Sequence, residues 1–383
     1  MIRTVKIIGP AHPYRGGIAT TSERLAQEFI AWGADVEIET FTLQYPSLLF
    51  PGKTQYNNKP APQGLKIKRS INSINPFNWI RVGLRLKKEK PDLVIIRYWI
   101  PFLSPCLGTI AWLLRKNGKS KVVCLADNII PHEHRPGDRL LTNYYIQRID
   151  GLIAMSKSVL EESKTFRSDI PLGFCPHPIF DNYGQKIPME EAKQQLMLDQ
   201  RYSYLLFFGF IRDYKGLDLL IEAFADSRLR NYPVKLLVAG EYYSSAEPYL
   251  KLIQEKNLSD HIELRTEFIP DHEVNLYFSA ADMVVQPYKS ATQSGVTQIG
   301  YHFEKPMLVT NVGGLSEIIP DGRVGYVVEP EAKFIAEALV DFYENDRLNS
   351  FSENVIEEKK KFSWANMVGT FTTIYNEILN SKS

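Results

Sequence analysis

The stretch "FGFIRDYKGLDLL", residues 208–220, joins the end of an apolar run to a short basic turn and an amphipathic pattern. Gly209 ends the apolar run, Arg212 and Lys215 follow in the turn, and Gly216 opens the predicted helix. Two cations beside the free N–H groups of a helix start favour binding of an anion such as a diphosphate. A solvated basic turn is the alternative interpretation.

The surrounding sequence alternates between strand-like and helical segments. The strand-like runs are short, contain β-branched residues and are apolar on both faces. They are "VKIIGP", "DVEIETF", "DLVIIRYW", "KVVCLADN" and "GLIAMS" in the first half, and "YLLFFGF", "VKLLVAG", "IELRTEF", "MVVQPY", "PMLVTNV" and "GYVVEP" in the second. Such runs between helices indicate parallel strands that helices cover on both sides. We therefore predict an α/β protein with two doubly wound Rossmann-like domains, residues 1–172 and 173–363, and a final helix over 364–383.

Composition excludes several classes of protein. The chain has 383 residues and a formal charge of +1, so nothing global favours nucleic-acid binding. The three cysteines, Cys106, Cys124 and Cys175, form no CxxC pair, which favours reduced thiols in a cytoplasmic protein. The histidines give no metal-ligand spacing, and we predict neither a metal nor a cofactor. The most apolar run, residues 99–114, is too short and too interrupted to span a membrane.

A second glycine-containing turn follows the first predicted strand, in "GPAHPYRGGIATTSERL". Gly16 and Gly17 allow a ligand to approach the backbone, Arg15 adds a charge, and a helix is expected from about Ile18. We predict an anion or sugar site here, and a tight turn for packing is the alternative. The turn is not G-x-G-x-x-G, which counts against a nicotinamide-dependent oxidoreductase.

A third candidate loop lies within residues 286–319. Small polar residues lead into a helix near Gly295, and Gly313, Gly314 and Glu317 are predicted to begin another helix. Consecutive backbone N–H groups at such positions can receive an anion, although ordinary N-caps have the same composition. The second half thus contains three such loops: the basic turn of Arg212 and Lys215, the loop before Gly295, and the loop at Gly313 and Gly314. Taken together, they predict a nucleoside-diphosphate site.

The order of these motifs resembles the carboxyl domain of retaining glycosyltransferases of family 4, which have the GT-B fold. The similar segments are "FGFIRDYKGLDLLIEAF", "VAG", "FIPDHEVNLYFSAADMVVQPY" and "KPMLVTNVGGLSEIIPDGRVGYVVEP". The first domain is similar through "GGIA", "DLVIIRYW" and "LADNIIPHE". The resemblance implies two domains facing a central cleft, with the last helix crossing back to the first domain.

The resemblance also implies a function. We expect a hexosyltransferase that moves a sugar from a UDP- or GDP-sugar to a saccharide or lipid-linked acceptor, with retention at the anomeric carbon, in surface polysaccharide or glycolipid synthesis. The nucleotide-sugar is a co-substrate, and metal independence is expected. A non-catalytic nucleotide-sugar or glycan-binding protein of the same fold is the alternative.

The resemblance assigns donor contacts to the second domain. Lys215 matches the family's diphosphate-binding lysine next to the strand-end Gly209, and Glu317 matches a glutamate near the sugar-binding loop. Phe210 replaces the family's arginine, so Arg212 is expected to supply that charge. The family's two further glutamates fall near Ala291 and on Ile299, neither of which is acidic. Other groups must then contact the donor. We expect Gln298 to contact the ribose. For the sugar and the phosphate we expect contacts from the loop residues Thr292, Gln293, Ser294, Gly295 and Val296.

In the first domain the family's sugar-binding histidine falls at Asp127. Asp127 and His132 are therefore catalytic candidates, and Asn128 is expected to bond a sugar hydroxyl. A turn cap for Asp127 and a structural role for His132 are the alternatives.

Residues 66–90 form a basic segment with interleaved apolar residues. The segment contains one acidic residue, Glu89. Its cations are Lys66, Lys68, Arg69, Arg81, Arg85, Lys87, Lys88 and Lys90. Phe77, Trp79, Ile80, Leu84 and Leu86 lie among them. The pattern suits peripheral contact with the anionic inner face of the plasma membrane. A solvated helix whose apolar stripe packs on the sheet is the alternative.

Overall fold

The chain forms two α/β units. The computed structural model describes residues 2–46, 55–57, 60–130, 135–291 and 294–381. One unit comprises Met1–His177 and Trp364–Ser383, and the other comprises Pro178–Ser363. Their boundary lies five residues after the expected one, because a strand over Leu172–Phe174 still pairs with the first sheet.

The first unit contains a seven-stranded parallel sheet. Its strands are β1 (Thr4–Ile8), β2 (Asp35–Leu43), β3 (Lys66–Asn72), β4 (Leu93–Tyr98), β5 (Lys121–Ala126), β6 (Gly151–Ala154) and β7 (Leu172–Phe174), in the order β3-β2-β1-β4-β5-β6-β7. Every residue of β4 and β5 is buried, as expected for parallel strands covered on both faces. The strand order reverses between β1 and β4, which makes this pair the topological switch point of the sheet.

In the described ranges of this unit, five helices connect the strands. They are α1 (Gly17–Ala31), α2 (Pro76–Glu89), α3 (Ser104–Arg115), α4 (Asp138–Ile146) and α5 (Lys157–Lys164). Helices α2, α3 and α4 pack side by side as one layer. Apolar clusters lie on both faces of the sheet, so the unit has the doubly wound layering predicted from the sequence.

The second unit repeats this topology with six parallel strands. They are β8 (Ser203–Phe208), β9 (Val234–Ala239), β10 (Ile262–Arg265), β11 (Met283–Gln286), β12 (Met307–Thr310) and β13 (Gly325–Val328), in the order β10-β9-β8-β11-β12-β13. The helices are α6 (Met189–Gln195), α7 (Leu217–Phe224), α8 (Glu247–Glu255), α9 (Val274–Ala280), α10 (Gly295–His302), α11 (Ala332–Glu344) and α12 (Arg347–Glu358). The switch point of this sheet lies between β8 and β11.

The last helix, α13 (Trp364–Asn380), belongs to the first unit, as predicted. Its apolar face is buried, and the Phe371 ring lies 5.8 Å from that of Phe29 in α1. A β-carbon on Gly151 would stand 2.7 Å from Ile374, so the glycine at the start of β6 allows the helix to lie close to the sheet.

The helix predicted after Gly313 and Gly314 is wrong. Residues 311–320 form turns, and Glu317 is exposed on one of them. The paired glycines disfavour helix at one end, and Pro320 disfavours it for the residue before it. Too few residues remain between them to form a stable helical turn.

Candidate active site

The turns after β8 and β11 meet at the switch point of the second sheet. Gly216 has a φ of 68°, and a β-carbon there would stand 1.9 Å from the carbonyl oxygen of Pro287. Only glycine therefore permits this approach of the two turns. The Lys289 backbone N–H donates to the Tyr214 carbonyl over 2.7 Å, and its ammonium donates to Asp213 and Asp218 over 2.9 and 2.8 Å. These bonds hold the basic turn in place.

Lys215 is the last residue of a short 3-10 turn, Asp213–Lys215, and only 9% of it is exposed. Its Nζ lies 5.6 Å from the centre of the Tyr288 ring. In the described parts of the chain, no carboxylate lies within 4.0 Å of this ammonium. Burial, with the nearby charge of Arg212, lowers the pKa of Lys215 to about 8. The side chain is therefore not the solvated cation that the alternative interpretation expected.

Arg212 precedes that 3-10 turn and is half-buried. Its guanidinium carbon lies 3.9 Å from the centre of the Tyr243 ring, a cation–π contact with an exposed aromatic side chain. The described residues offer no carboxylate to Arg212 either. The two predicted cations thus lie on one turn with their charges available to an anion.

The turn after β11 leads into α10. Ser294 is its N-cap, and the Val296 N–H donates to the Ser294 hydroxyl over 3.2 Å. A β-carbon on Gly295 would stand 2.9 Å from the Phe180 ring, so this position requires a small residue. The predicted contacts Thr292 and Gln293 lie outside the described residues.

Gln298 lies in the first turns of α10 and is almost fully buried. Its side-chain oxygen accepts no hydrogen bond from any described residue. A buried acceptor without a donor is destabilising, so such an atom is a candidate for binding a ligand hydroxyl.

In the first unit, α1 begins at Gly17, one residue before the expected start. Gly16 has a φ of 114°, and no described atom lies within 4 Å of the positions that β-carbons on Gly16 and Gly17 would occupy. Arg15 is exposed, and its backbone N–H donates to the Gln55 carbonyl over 3.0 Å. The space above this turn is therefore open to a ligand as far as the described chain extends.

Asp127 follows β5 and forms an ion pair that the sequence analysis missed. Arg97 at the end of β4 is 1% exposed, and its Nη2 and Nε donate to the two Asp127 carboxylate oxygens over 2.6 and 3.2 Å. Arg97 Nη1 also donates to the Thr21 hydroxyl over 3.2 Å. The one available signal was an arginine within the apolar run "DLVIIRYW". The Asp127 carboxylate is thus paired with a buried cation, and its catalytic role remains a prediction.

The other first-unit candidates differ in what the structure describes. Asn128 is half-buried directly after Asp127, whereas His132 lies outside the described residues. In the described ranges, Glu37, Glu39 and Glu89 come close enough together to hold a cation. Lys6 and Arg85 already pair with these carboxylates, so the cluster is a salt-bridge network.

Comparison with known proteins decides the family. The sequence profile for glycosyl transferases group 1 matches residues 188–362, and the profile for glycosyltransferase family 4 matches residues 15–173. The chain belongs to the glycosyltransferases of the group 1 and family 4 type. The first profile covers the second unit and the second profile covers the first unit. The predicted GT-B fold is confirmed.

Individual relatives of this glycosyltransferase agree. An uncharacterized glycosyltransferase of Methanocaldococcus jannaschii, MJ1178, is 27% identical, with 98% of the chain and 99% of that protein covered. O-antigen chain mannosyltransferase C of Escherichia coli is 24% identical over 80% of the chain and 81% of its own length. The structure of Anabaena HepE in complex with UDP covers 99% of both chains with a TM-score of 0.70 at 15% identity. Among the described residues, no helix combines the length and hydropathy needed to span a bilayer.

Proposed function

We propose that this glycosyltransferase moves a hexose from a UDP- or GDP-sugar to a saccharide or lipid-linked acceptor with retention of configuration. The observation that carries the proposal is the buried ammonium of Lys215, which has no carboxylate partner in the described chain and lies at the switch point of a doubly wound sheet. A diphosphate bound there would complete the pairing of this charge.

The proposed chemistry needs no protein nucleophile. The bond between the anomeric carbon and the leaving phosphate oxygen breaks, and the acceptor oxygen bonds to the same face of that carbon. The acceptor proton passes to an oxygen of the departing diphosphate. Lys215 and Arg212 stabilise the negative charge that develops on the leaving group, which is an electrostatic contribution to catalysis.

Other parts of the donor would be held by neighbouring groups. We assign the ribose to Gln298, whose buried oxygen has no described donor, and the sugar and phosphate to the backbone around Ser294 and Gly295. A UDP-sugar is one candidate donor, since HepE, which has a similar fold, has been solved with UDP-glucose. We further expect transfer to persist in the presence of EDTA, with the two side-chain cations supplying the positive charge.

The names of two relatives support a proposal for the acceptor class. They are a mannosyltransferase of the O-antigen chain and a lipopolysaccharide N-acetylglucosaminetransferase. We therefore propose a role in the synthesis of a surface polysaccharide or glycolipid. Asp127, Asn128 and His132 remain predicted contacts for the transferred sugar.

The test is a transfer assay with a panel of UDP- and GDP-sugars and saccharide or lipid-linked acceptors, read by mass spectrometry. Replacement Lys215→Ala should lower kcat about 100- to 1,000-fold, the usual effect of removing one group that stabilises charge in the transition state. Lys251→Ala, on the exposed side of α8, is the matched control and should not change the rate. Binding of a nucleotide-sugar without turnover would favour the non-catalytic alternative, and an unchanged rate in the Lys215 variant would reject the proposed site.

A further inference from the structure

Helix α2 has two apolar faces, and only one of them is buried. Val82, Gly83 and Leu86 pack inside the unit, and a β-carbon on Gly83 would stand 2.7 Å from Leu113 of α3. On the opposite side, Phe77, Ile80 and Leu84 are 84%, 45% and 43% exposed. The stripe that packs against the protein therefore accounts for only half of the apolar residues of this helix.

Three cations lie on the same outer face. At 100° per residue, Arg81, Lys87 and Lys88 flank the arc of the exposed apolar residues, each within about 40° of its edge. Within the described ranges, no carboxylate pairs with any of the three. The outer face thus carries apolar and basic side chains and no acid.

The structure removes other cations from the set predicted for membrane contact. Arg85 points to the sheet, where its guanidinium donates to both oxygens of the fully buried Glu39 carboxylate over 2.7 and 2.8 Å. Lys66 pairs with Asp35, and Arg69 donates to backbone carbonyl groups of β2. The prediction that Arg85 belongs to a basic membrane-facing surface is therefore wrong, because a buried carboxylate requires its charge.

The neighbouring helix α3 also combines exposed apolar and basic side chains without an acidic residue. Its sequence, "SPCLGTIAWLLR", contains no acidic residue. Trp112 is 46% exposed, and Lys116 Nζ lies 3.5 Å from the centre of its ring. Tryptophan and lysine are common at the level of lipid headgroups.

We propose that the outer face of α2, defined by Phe77, Ile80, Arg81, Leu84, Lys87 and Lys88, binds the surface of an anionic lipid bilayer. The apolar side chains would enter the boundary between headgroups and acyl chains, and the cations would pair with lipid phosphates. Because this face carries cations and no acid, its charge is complementary to that of an anionic surface. This inference goes beyond the proposed function, because adsorption to lipid requires neither donor nor acceptor.

Two other occupants fit this face less well. A nucleic-acid backbone would use the cations but not the three exposed apolar side chains. A second copy of the chain placed face to face would bring like charges together. Both are outcomes of the test below.

The experiment is flotation of the full chain with vesicles of phosphatidylcholine, with and without phosphatidylglycerol, in low and high salt. The wild type should float with the anionic vesicles only, and more weakly in high salt. The variant R81E/K87E/K88E should lose at least about 100-fold in partitioning, since each cation near such a surface contributes about fivefold. The variant F77S/L84S should lose at least about tenfold. Phe77, Arg81, Leu84 and Lys88 are exposed and Lys87 is half-buried, so the fold should persist, which circular dichroism checks.

The matched control K251E/K256E/K333E reverses three exposed lysines in the second unit and should float like the wild type. Failure of the wild type to float, equal loss in the control, or equal binding to neutral vesicles would each overturn the proposal. Concentration-dependent dimers that the F77S/L84S variant abolishes would instead assign the face to a second copy. Binding of single-stranded DNA that only R81E/K87E/K88E abolishes would assign it to nucleic acid.

Discussion

The ammonium of Lys215 lies 3.0 Å from the point at which a β-carbon on Gly209 would stand. Gly209 also has a φ of 94°, a backbone conformation that favours glycine. The strand-end glycine thus leaves room for the lysine side chain above the end of β8. A sequence pattern of glycine, then lysine six residues later, becomes one site because the intervening turn folds back on itself.

The first prediction concerns the charge of Lys215. Its folded pKa of about 8 lies below the usual 10.5, so unfolding takes up a proton between these two pH values. Below pH 8 the buried ammonium therefore lowers the free energy of unfolding by about 3 kcal/mol. This penalty disappears as the pH rises to 10.5. We expect Lys215→Met to be more stable than the wild type at pH 7, with a smaller difference at pH 9, in urea unfolding.

The same substitution should remove the effect of nucleotide. A bound diphosphate stabilises the protonated lysine, so UDP or GDP should raise the unfolding midpoint of the wild type more at pH 7 than at pH 9. The Lys215→Met protein should show little shift at either pH. If that variant were less stable than the wild type at pH 7, the ammonium would have a partner in the folded state and the argument would fail.

The second prediction concerns Asp127. Because Arg97 is 1% exposed, Asp127→Ala leaves a buried cation unpaired and should lower the free energy of unfolding by about 3–5 kcal/mol. The double variant Arg97→Met/Asp127→Ala should recover part of this loss. Asp127→Asn keeps an acceptor oxygen and therefore separates a structural role from a catalytic one. A large fall in kcat with little loss in the free energy of unfolding would support the catalytic role. Losses in kcat and in the free energy of unfolding that accompany each other would exclude it.

The third prediction separates the two sides of α2. Arg85→Ala leaves the buried Glu39 carboxylate without its cation and should cost about 3 kcal/mol in urea unfolding. Arg81→Ala, one turn earlier on the exposed face, should change stability by less than about 0.5 kcal/mol. Equal effects of the two substitutions would contradict the assignment of Arg85 to the sheet and Arg81 to solvent.

The fourth prediction concerns Gln298. Methionine has a similar shape and removes a buried acceptor that has no described donor, so Gln298→Met should not destabilise the apo protein. If the amide binds the ribose, calorimetry should show about tenfold weaker binding of UDP or GDP. Gln254→Met on the exposed side of α8 is the control. Unchanged nucleotide affinity would show that the buried amide has no role in the donor site.

Local patterns predicted the doubly wound architecture but not the edge strands β3 and β7 of the first sheet. Apolar runs of strand length between helical segments predicted parallel sheets, and the basic turn after β8 was located because a strand end and a helix start are both visible in the sequence. The helix after Gly313 was predicted incorrectly because the paired glycines were interpreted as a helix start, although Pro320 follows too soon for a helix to form.

The sequence by itself determined the two doubly wound units, their family and the position of the candidate donor site. Only the tertiary structure decided that Arg97 pairs with Asp127, that Lys215 is buried, and that Arg85 rather than Arg81 faces the sheet. Periodicity gives α2 two apolar stripes but does not say which one is covered. That depends on which distant segments pack against the helix, and these contacts form only when the whole unit has folded.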